Sequence, residues 1–233
     1  MKKSMLKRSW SEEDSKHLLH GGVPLDTFAE KGSAVIVEEG HGLILRDVYG
    51  KEYMDAVSGA VCVNLGYGCE ELPQVAMAQM SKLSYLVGWS NFASTVVIEY
   101  ANKLAEFTPD GLDRFFFANS GSEANESAYK IARYYWINQG RESKTKIISR
   151  QLSYHGLNLA SMTATGMERF RERMGPLVPG FIQIPTAYCY RCPFGKEYPN
   201  CKLECAEVLA ETIDREGEDT IAAFVAEPIH GTA

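Results

Sequence analysis

Apolar and polar positions alternate through residues 34–57, AVIVEEGHGLILRDVYGKEYMDAV, and glycines interrupt the alternation. A period of two residues is typical of strands that bury one face, and glycine-bearing stretches between them are typical of turns. We therefore predict a small antiparallel meander here. The loop VNLGYG at 63–68 follows, and its glycines allow backbone conformations that other residues avoid.

A helical pattern of apolar positions comes next, in residues 71–84 and again in 94–107. Pro109 and Gly111 close the second segment, because neither residue type favours continuation of a helix. Two helices are therefore predicted before the rhythm of the chain changes.

From residue 112 onward, short apolar runs alternate with helix-compatible stretches. The runs are DRFFFA, TKIISR, GFIQIP and TIAAFVAEP, and the helical stretches lie near 122–138, 156–174 and 202–216. Strands that alternate with helices indicate βαβ units and a parallel sheet covered on both faces. The predicted class is α/β. Residues 1–65 would form an N-terminal arm with the antiparallel segment, and residues 66–233 the first portion of a large α/β domain.

The sequence stops just beyond the last predicted strand, at AAFVAEPIHGTA, and no helix follows to cover that strand. Open parallel sheets place their ligands at the carboxyl ends of the strands. We therefore expect the sequence to be the N-terminal part of a longer protein.

Composition narrows the classes of partner. The 233 residues carry a net charge of −6, which argues against nucleic acid and against a polybasic membrane contact. The opening MKKSMLKRSW is basic but no apolar segment follows, so a secretory signal is not predicted. No run approaches the roughly 18 apolar residues of a membrane span. Six cysteines without an export signal indicate reduced thiols, and we predict a cytoplasmic protein.

The segment FANSGSEANESAYKIAR at 117–133 places Ser120, Gly121 and Ser122 between an aromatic strand and a long helix. Bare N–H groups and the positive end of the helix dipole at such a junction suit a phosphate. Ser120 followed three residues later by Glu123 is also a capping box, which needs no ligand, and spacing alone favours that interpretation. The chain has neither GxxxxGK[ST] nor GxGxxG.

The helix that begins here has apolar residues at helical spacing, which predict one buried face. They are Ala124, Ala128, Ile131, Ala132 and Tyr135.

The same segment resembles the phosphate-binding motif of the class III (omega-amino acid) aminotransferases, which are fold type I pyridoxal-phosphate enzymes. DAVSGAVCVNLGYG (55–68), YHG (154–156) and AEPIHG (226–231) match that family in order, and the resemblance covers nearly the whole chain from about residue 17. It implies pyridoxal phosphate as cofactor and an amino group moved from an omega-amino acid or amine to a 2-oxo acid such as pyruvate. It also implies a homodimer with active sites at the subunit interface.

By this resemblance, Ser120, Gly121 and Ser122 hold the phosphate. Tyr154 stacks its ring on the pyridine face, where an aromatic platform contributes about 0.5–1.5 kcal/mol. Without the family, an ordinary aromatic residue at a strand end would be the simpler interpretation of Tyr154.

His155 and Gly156 would complete the wall beside that ring, and Glu227 would lie close to it and keep that end of the site negative. Without the family resemblance, Glu227 followed by Pro228 would indicate only a turn at the end of a strand. The Schiff-base lysine and the aspartate that pairs with the pyridine nitrogen are expected after Ala233, so this chain alone should not transaminate.

Departures from the family pattern bear on the substrate. Many amine:pyruvate relatives carry tryptophan in SGxWCVN, where this chain has Val61, and a smaller residue reshapes the pocket wall. Thr232 replaces a glutamate of the ornithine and 4-aminobutyrate branches, which favours the omega-amino acid or amine:pyruvate branch. Trp89 and Phe92 are candidate pocket residues, with core packing as the alternative.

The segment CYRCPFGKEYPNCKLEC has the spacing C-x2-C-x8-C-x3-C. Four thiols at such intervals can close a tetrahedral zinc site. Reduced, unliganded cysteines are the favoured interpretation, with zinc and redox pairing as the alternatives. The four are Cys189, Cys192, Cys201 and Cys205.

Two further functions stay open at this stage. The same phosphate-binding residues and stacking tyrosine could serve a racemase, an aminomutase or a decarboxylase. The chain could also be a non-catalytic half that a second polypeptide completes.

Overall fold

The computed structural model describes residues 10–22, 24–89 and 91–231. The chain divides into two compact units between Glu99 and Tyr100, and each is described by itself. The predicted domain boundary after residue 65 remains a prediction. In the described ranges, no helix is both long enough and apolar enough to span a membrane.

The first unit contains two short helices and a three-stranded sheet. Its elements are α1 (Trp10–His17), α2 (Leu25–Lys31), β1 (Val37–His41), β2 (Ile44–Asp47) and β3 (Glu52–Met54). The strands pair antiparallel in the order β1-β2-β3, which confirms the predicted meander. Asp47 is buried and accepts hydrogen bonds from Tyr49 N, Lys51 N and Tyr53 Oη, which shape the turn after β2.

The loop VNLGYG is fixed to the turn between β1 and β2. Tyr67 and Gly42 exchange two backbone hydrogen bonds, of 2.8 and 2.9 Å. The Tyr67 ring lies over Gly40, where an added Cβ would stand 2.7 Å from the ring's Cγ. A side chain at residue 40 would therefore displace the loop.

Before this loop, the chain makes a left-handed turn, α3 (Ser58–Val61). The φ angles of Ser58, Ala60 and Val61 are 54°, 61° and 67°. Positive φ is unfavourable for residues other than glycine, and most of all for a β-branched residue such as Val61. The turn is held by Asp55, whose carboxylate accepts hydrogen bonds from Gly59 N at 2.8 Å and from Tyr67 Oη at 2.7 Å.

The two helices predicted after this loop are confirmed, with slightly shorter bounds. They are α4 (Glu71–Lys82) and α5 (Thr95–Ala105).

The second unit alternates helices with parallel strands. Its main elements are α6 (Gly121–Asn138), β4 (Lys146–Arg150), α7 (Leu159–Ala164), β5 (Phe181–Ile184), α8 (Glu204–Glu216) and β6 (Ile221–Phe224). The strand order is β5-β4-β6, with both pairs parallel. Because β4 is central, the segments that follow β4 and β6 meet at one edge of the sheet.

Successive residues of β4 point to opposite faces of this sheet, and both faces are covered. Ile147 packs with Tyr129 of α6 and Ala164 of α7 on one side. Ile148 packs with Ile184 and with the apolar side of α8 on the other. The predicted parallel sheet between helices is confirmed.

Two predicted elements differ from the structure. Residues 113–118, DRFFFA, are not a strand, because no strand in the described residues pairs with them. The predicted helix over 156–174 is limited to α7 and a 3-10 turn at Glu168–Phe170. The helix ends at Ala164, and Thr165 is already extended. At Gly166 the backbone passes so close to the end of β4 that an added Cβ would stand 2.1 Å from the carbonyl oxygen of Arg150.

Candidate active site

The Ser-Gly-Ser junction begins α6, as predicted, and Ser120 is its N-cap. Ser120 Oγ accepts a hydrogen bond from Glu123 N at 3.2 Å. The Glu123 carboxylate reaches back and accepts from Asn119 N at 2.9 Å. The capping interaction that the spacing favoured is therefore formed, with the return bond at Asn119 instead of at the cap residue.

Capping leaves the first two amides of α6 available. In the described residues, the N–H groups of Gly121 and Ser122 have no hydrogen-bond partner. A Cβ at Gly121 would meet nothing within 4 Å, so the space beside the first residue of α6 is open. Capping and anion binding can therefore coexist at this junction, although they were alternatives in sequence.

Ser122 lies against the loop that follows β4. Its Oγ accepts a hydrogen bond from Leu157 N at 3.0 Å, and a Cβ at Gly156 would stand 2.4 Å from that oxygen. Gly156 also has φ +121°, a region that side chains disfavour. Only glycine allows the two segments to approach this closely.

Two more side chains of α6 hold the same loop. Asn125 Nδ2 donates to the carbonyl oxygen of His155 at 2.7 Å. Glu126 Oε1 accepts from Ala160 N and Ser161 N, at 2.9 and 2.8 Å, and so satisfies amides at the start of α7. Neither Asn125 nor Glu126 was predicted as a site residue from the sequence. They lie three and four residues after Ser122, a spacing that places all three side chains on one helical face. That spacing is the sequence feature from which they could have been predicted.

The buried face of α6 was therefore predicted wrongly. Tyr129 is 5% exposed and follows the polar face of Ser122, Asn125 and Glu126, whereas Ile131 and Tyr135 of the predicted apolar face are 55% and 56% exposed. The polar face packs inward because the loop offers backbone groups that satisfy its side chains.

Tyr154 and Glu227 come together because β4 and β6 are neighbours. Glu227 Oε2 accepts a hydrogen bond from Tyr154 N at 3.0 Å. The Tyr154 ring makes an edge contact with Phe170, with ring centroids 5.5 Å apart. Phe170 was not singled out in sequence, since it lay inside a segment predicted as ordinary helix.

His155 is buried between these segments. Its backbone N–H donates to Thr165 Oγ1 at 2.9 Å, and its Nε2 is buried with no hydrogen-bond partner in the described residues. Burial lowers the pKa of His155; the Glu227 carboxylate opposes this effect and His230 adds to it. The imidazole is therefore biased toward its neutral form.

Chemically, the start of α6 suits a dianionic phosphate. Two free amides lie in its first turn, at the positive end of an 18-residue helix. The hydroxyls of Ser120 and Ser122 accept one hydrogen bond each and retain a proton to donate. The residues present therefore fit the phosphate group that the family resemblance implies.

The predicted pocket residues lie in the first unit. Val61, Trp89 and Phe92 are 73%, 86% and 63% exposed, so none of them packs in a core of that unit. Their role in a substrate pocket remains a prediction. Thr232, which bears on the choice of branch, lies outside the described residues.

The four clustered cysteines line one small cavity of about 30 Å³ in the second unit. All four are free thiols. Among the described residues, no group of three or more His, Cys, Asp or Glu side chains is arranged to hold a metal ion. The thiols share a cavity, therefore, but do not form a preorganised metal site.

Comparison with known proteins agrees with this geometry. The chain is 34% identical over 224 residues to a putrescine–pyruvate aminotransferase of Pseudomonas aeruginosa, covering 96% of this chain and 49% of that protein. It superposes on an (S)-enantioselective omega-transaminase of Thermomicrobium roseum with a TM-score of 0.91 and 38% identity, covering 95% of this chain and 49% of the other.

An omega transaminase of Pseudomonas jessenii, solved in complex with PMP, gives a TM-score of 0.91 at 33% identity and covers 96% of this chain and 49% of its own. This chain thus spans about half the length of the relatives that it matches. The family described as aminotransferase class-III matches residues 27–233, and the chain belongs to that family.

Proposed function

We propose that this chain is the cofactor-binding part of a pyridoxal-phosphate-dependent aminotransferase. The enzyme would move an amino group from an omega-amino acid or amine to a 2-oxo acid such as pyruvate. Family membership supports this proposal, as does the putrescine–pyruvate activity in the name of one relative. The observation that carries it is the open N-terminus of α6, with two free amides and two serine hydroxyls beside Gly156.

The coenzyme, when bound, supplies an electron sink for negative charge on the substrate carbon. The chain's own residues bind and orient it. Ser120, Gly121 and Ser122 would hold the phosphate, with about 1.5–3 kcal/mol for each charge-assisted hydrogen bond. Tyr154 would provide an aromatic face for the ring. Its backbone is fixed by Glu227, and the edge contact with Phe170 limits rotation of its ring.

Glu227 would serve a second purpose, because its carboxylate keeps this part of the site negative and favours a protonated pyridine nitrogen. His155 and Gly156 would form the wall between that carboxylate and the phosphate. The buried, unpartnered Nε2 of His155 is compatible with a wall that is completed when a further group is present.

The chemistry would need residues outside this chain. Lys130 lies on α6 and is exposed, as expected for a residue without a role in binding the phosphate. We propose that the lysine that binds the coenzyme and the aspartate at its pyridine nitrogen lie after Ala233. The chain by itself should then not transaminate.

We propose a pocket wall at Val61 that accepts bulkier amines than a tryptophan would allow. The left-handed turn supports this assignment, since strained backbone is found preferentially at functional sites. The side chain is also 73% exposed within its own unit and is free to contact a substrate.

We also propose a homodimer in the cytoplasm. The first unit exposes large apolar side chains along α4 and α5, and a concentration of exposed apolar side chains on neighbouring helices supports an interface there. Free thiols at all six cysteines are compatible with a reducing compartment. The exposed side chains include Val75, Met77, Met80, Val97 and Ile98.

The test uses the full-length protein with putrescine as donor and pyruvate as acceptor. We expect pyruvate-dependent formation of alanine and cofactor retained through gel filtration. Ser122→Ala should lose retained cofactor at least about tenfold, since one charge-assisted hydrogen bond contributes this much. Ser127→Ala on the same helix is the matched control and should retain it. Unchanged retention in Ser122→Ala would refute the phosphate assignment.

A further inference from the structure

A second cleft, of about 590 Å³, opens in the second unit beside the carboxyl ends of β4 and β5. Gln151 and Leu152 follow β4, and Thr186 follows β5. None of the seven residues assigned to the cofactor lines this cleft. It is thus a separate cavity, on the sheet edge where α/β proteins bind ligands.

Two arginines on different segments line the cleft, and neither forms an ion pair in the described residues. Arg171 Nε is buried with no hydrogen-bond partner in the described residues, and Nη1 lies 3.5 Å from the carbonyl oxygen of Thr165, the limit of a hydrogen bond. Arg191 is exposed and lies over the ring of Tyr190 at 5.7 Å. No ion pair within the described residues includes either guanidinium.

The Arg171 Nε–H is shielded from solvent, so a ligand in the cleft would be bound by the rest of the guanidinium group, whose unpaired positive charge a planar oxyanion neutralises. Carboxylates match the guanidinium fork with two parallel hydrogen bonds. Gln183 and Thr186 also line the cleft, but Gln183 Nε2 donates to the carbonyl oxygen of Thr165 at 2.9 Å and Thr186 Oγ1 lies 3.3 Å from His230 Nδ1, so the charged side chains carry the recognition. The cation side of the cleft therefore favours a carboxylate.

The cleft also has an anion side. Glu168 and Glu172 line it, one helical turn apart, with Glu172 N bonded to the carbonyl oxygen of Glu168 at 2.8 Å. Glu172 has a distant partner outside the cleft, Arg173, at 3.7 Å. Two cations and two carboxylates make the cleft neutral overall, so it would not attract a simple anion by net charge. These four charges match a ligand that carries both a positive and a negative group.

We propose that this cleft binds a small amino acid in its zwitterionic form. The carboxylate would lie at Arg171 and Arg191, and the ammonium group at Glu168 and Glu172. The proposal does not rest on transamination, because none of the cleft residues belongs to the cofactor site. It assigns the chain a second amino-acid site beside the proposed catalytic one.

The test is calorimetric titration of the full-length protein from which the cofactor has been removed, so that no amino-group transfer can occur. The probes are β-alanine, propionate, which lacks the ammonium group, and propylamine, which lacks the carboxylate. We expect β-alanine to bind more tightly than either. Arg171→Gln and Arg191→Gln should each weaken β-alanine and propionate at least about tenfold, as expected for a lost charge-assisted pair.

Arg114→Gln is the matched control. It removes the same charge from a side chain of the second unit that is 97% exposed and does not line the cleft, and it should leave all three affinities unchanged. Equal affinity for propionate and β-alanine would overturn the amino-acid assignment. Absence of β-alanine binding, or full affinity in both cleft variants, would overturn the site itself. If Arg171→Gln does not fold, the affinity of the Arg191→Gln variant for β-alanine decides the result, because Arg191 is exposed and its replacement should not affect folding.

Discussion

Gly156 lies so close to Ser122 that a Cβ at residue 156 would stand 2.4 Å from the serine Oγ and 2.9 Å from its Cα. This approach brings the loop after β4 against the first turn of α6. The assembly of the candidate cofactor site depends on it, because Tyr154 and His155 belong to the same loop.

Replacement of Gly156 by alanine should therefore destabilise the protein even without cofactor. The added methyl group meets the backbone of Ser122, and φ +121° is strained for alanine. We expect a loss of about 2–4 kcal/mol, combining overpacking with backbone strain, measured by denaturant unfolding of the cofactor-free, full-length protein. Gly121→Ala, where the methyl group meets nothing within 4 Å, should unfold like the parent. Equal stability of the two variants would contradict the close contact.

The stability of the protein should decrease as pH falls below about 6.5, the ordinary histidine pKa, in part through His155. Burial lowers the pKa of this group in the folded state, so the unfolded chain binds its proton at a higher pH. Protonation therefore favours the unfolded state as the pH falls from the pKa of His155 in the unfolded chain toward its lower pKa in the folded protein. The stabilisation that the neutral imidazole gives the folded state is fully present above the unfolded-state pKa. Glu227 and His230 are the charged neighbours that adjust its size.

The measurement is the difference in unfolding free energy between the parent and His155→Gln, followed from pH 8 to pH 5. We expect the parent to lose more stability than the variant as the pH is lowered. Parallel curves for the two proteins would show that His155 is not held neutral by burial.

Val61→Gly should raise the stability of the protein. Val61 has φ 67° and is 73% exposed, so glycine relieves backbone strain and forfeits little packing. A gain of about 1 kcal/mol is expected for one such residue, observed as a higher melting temperature. Val57→Gly is the control: Val57 is similarly exposed but has φ −105°, where glycine costs about 0.5–1 kcal/mol. A lower melting temperature for Val61→Gly would contradict the strained turn.

The cysteine cluster should be metal-free in the purified protein. Cys189, Cys192, Cys201 and Cys205 line one cavity, but their thiols are not arranged to hold an ion in the described chain. Elemental analysis of full-length protein purified without chelator should give less than about 0.1 equivalent of zinc, whereas a closed structural site would retain about one. A stoichiometric amount would restore the zinc interpretation of the C-x2-C-x8-C-x3-C spacing.

Periodicity predicted the meander, the parallel strands and most helices, because these elements bury side chains at regular intervals. It failed for DRFFFA, since an apolar run becomes a strand only when a neighbouring strand pairs with it. It also failed for the buried face of α6. There Asn125 and Glu126 are polar residues turned inward, and their partners are backbone groups some 30 residues along the chain, at a separation where local patterns carry no information.

The candidate site was predictable to the extent that glycine and serine mark its contacts. Ser120, Gly121, Ser122 and Gly156 follow from motifs, and the structure shows why glycine is needed at residue 156. Phe170 could not be found in this way, since its contact with Tyr154 depends on how the chain turns after α7.

The most direct test of the central claim is a crystal structure of the full-length protein grown with excess pyridoxal phosphate. We predict the phosphate group at the start of α6, with oxygens about 2.7–3.2 Å from the backbone nitrogens of Gly121 and Ser122. Coenzyme bound elsewhere, or these two amides covered by the protein's own side chains, would contradict the account.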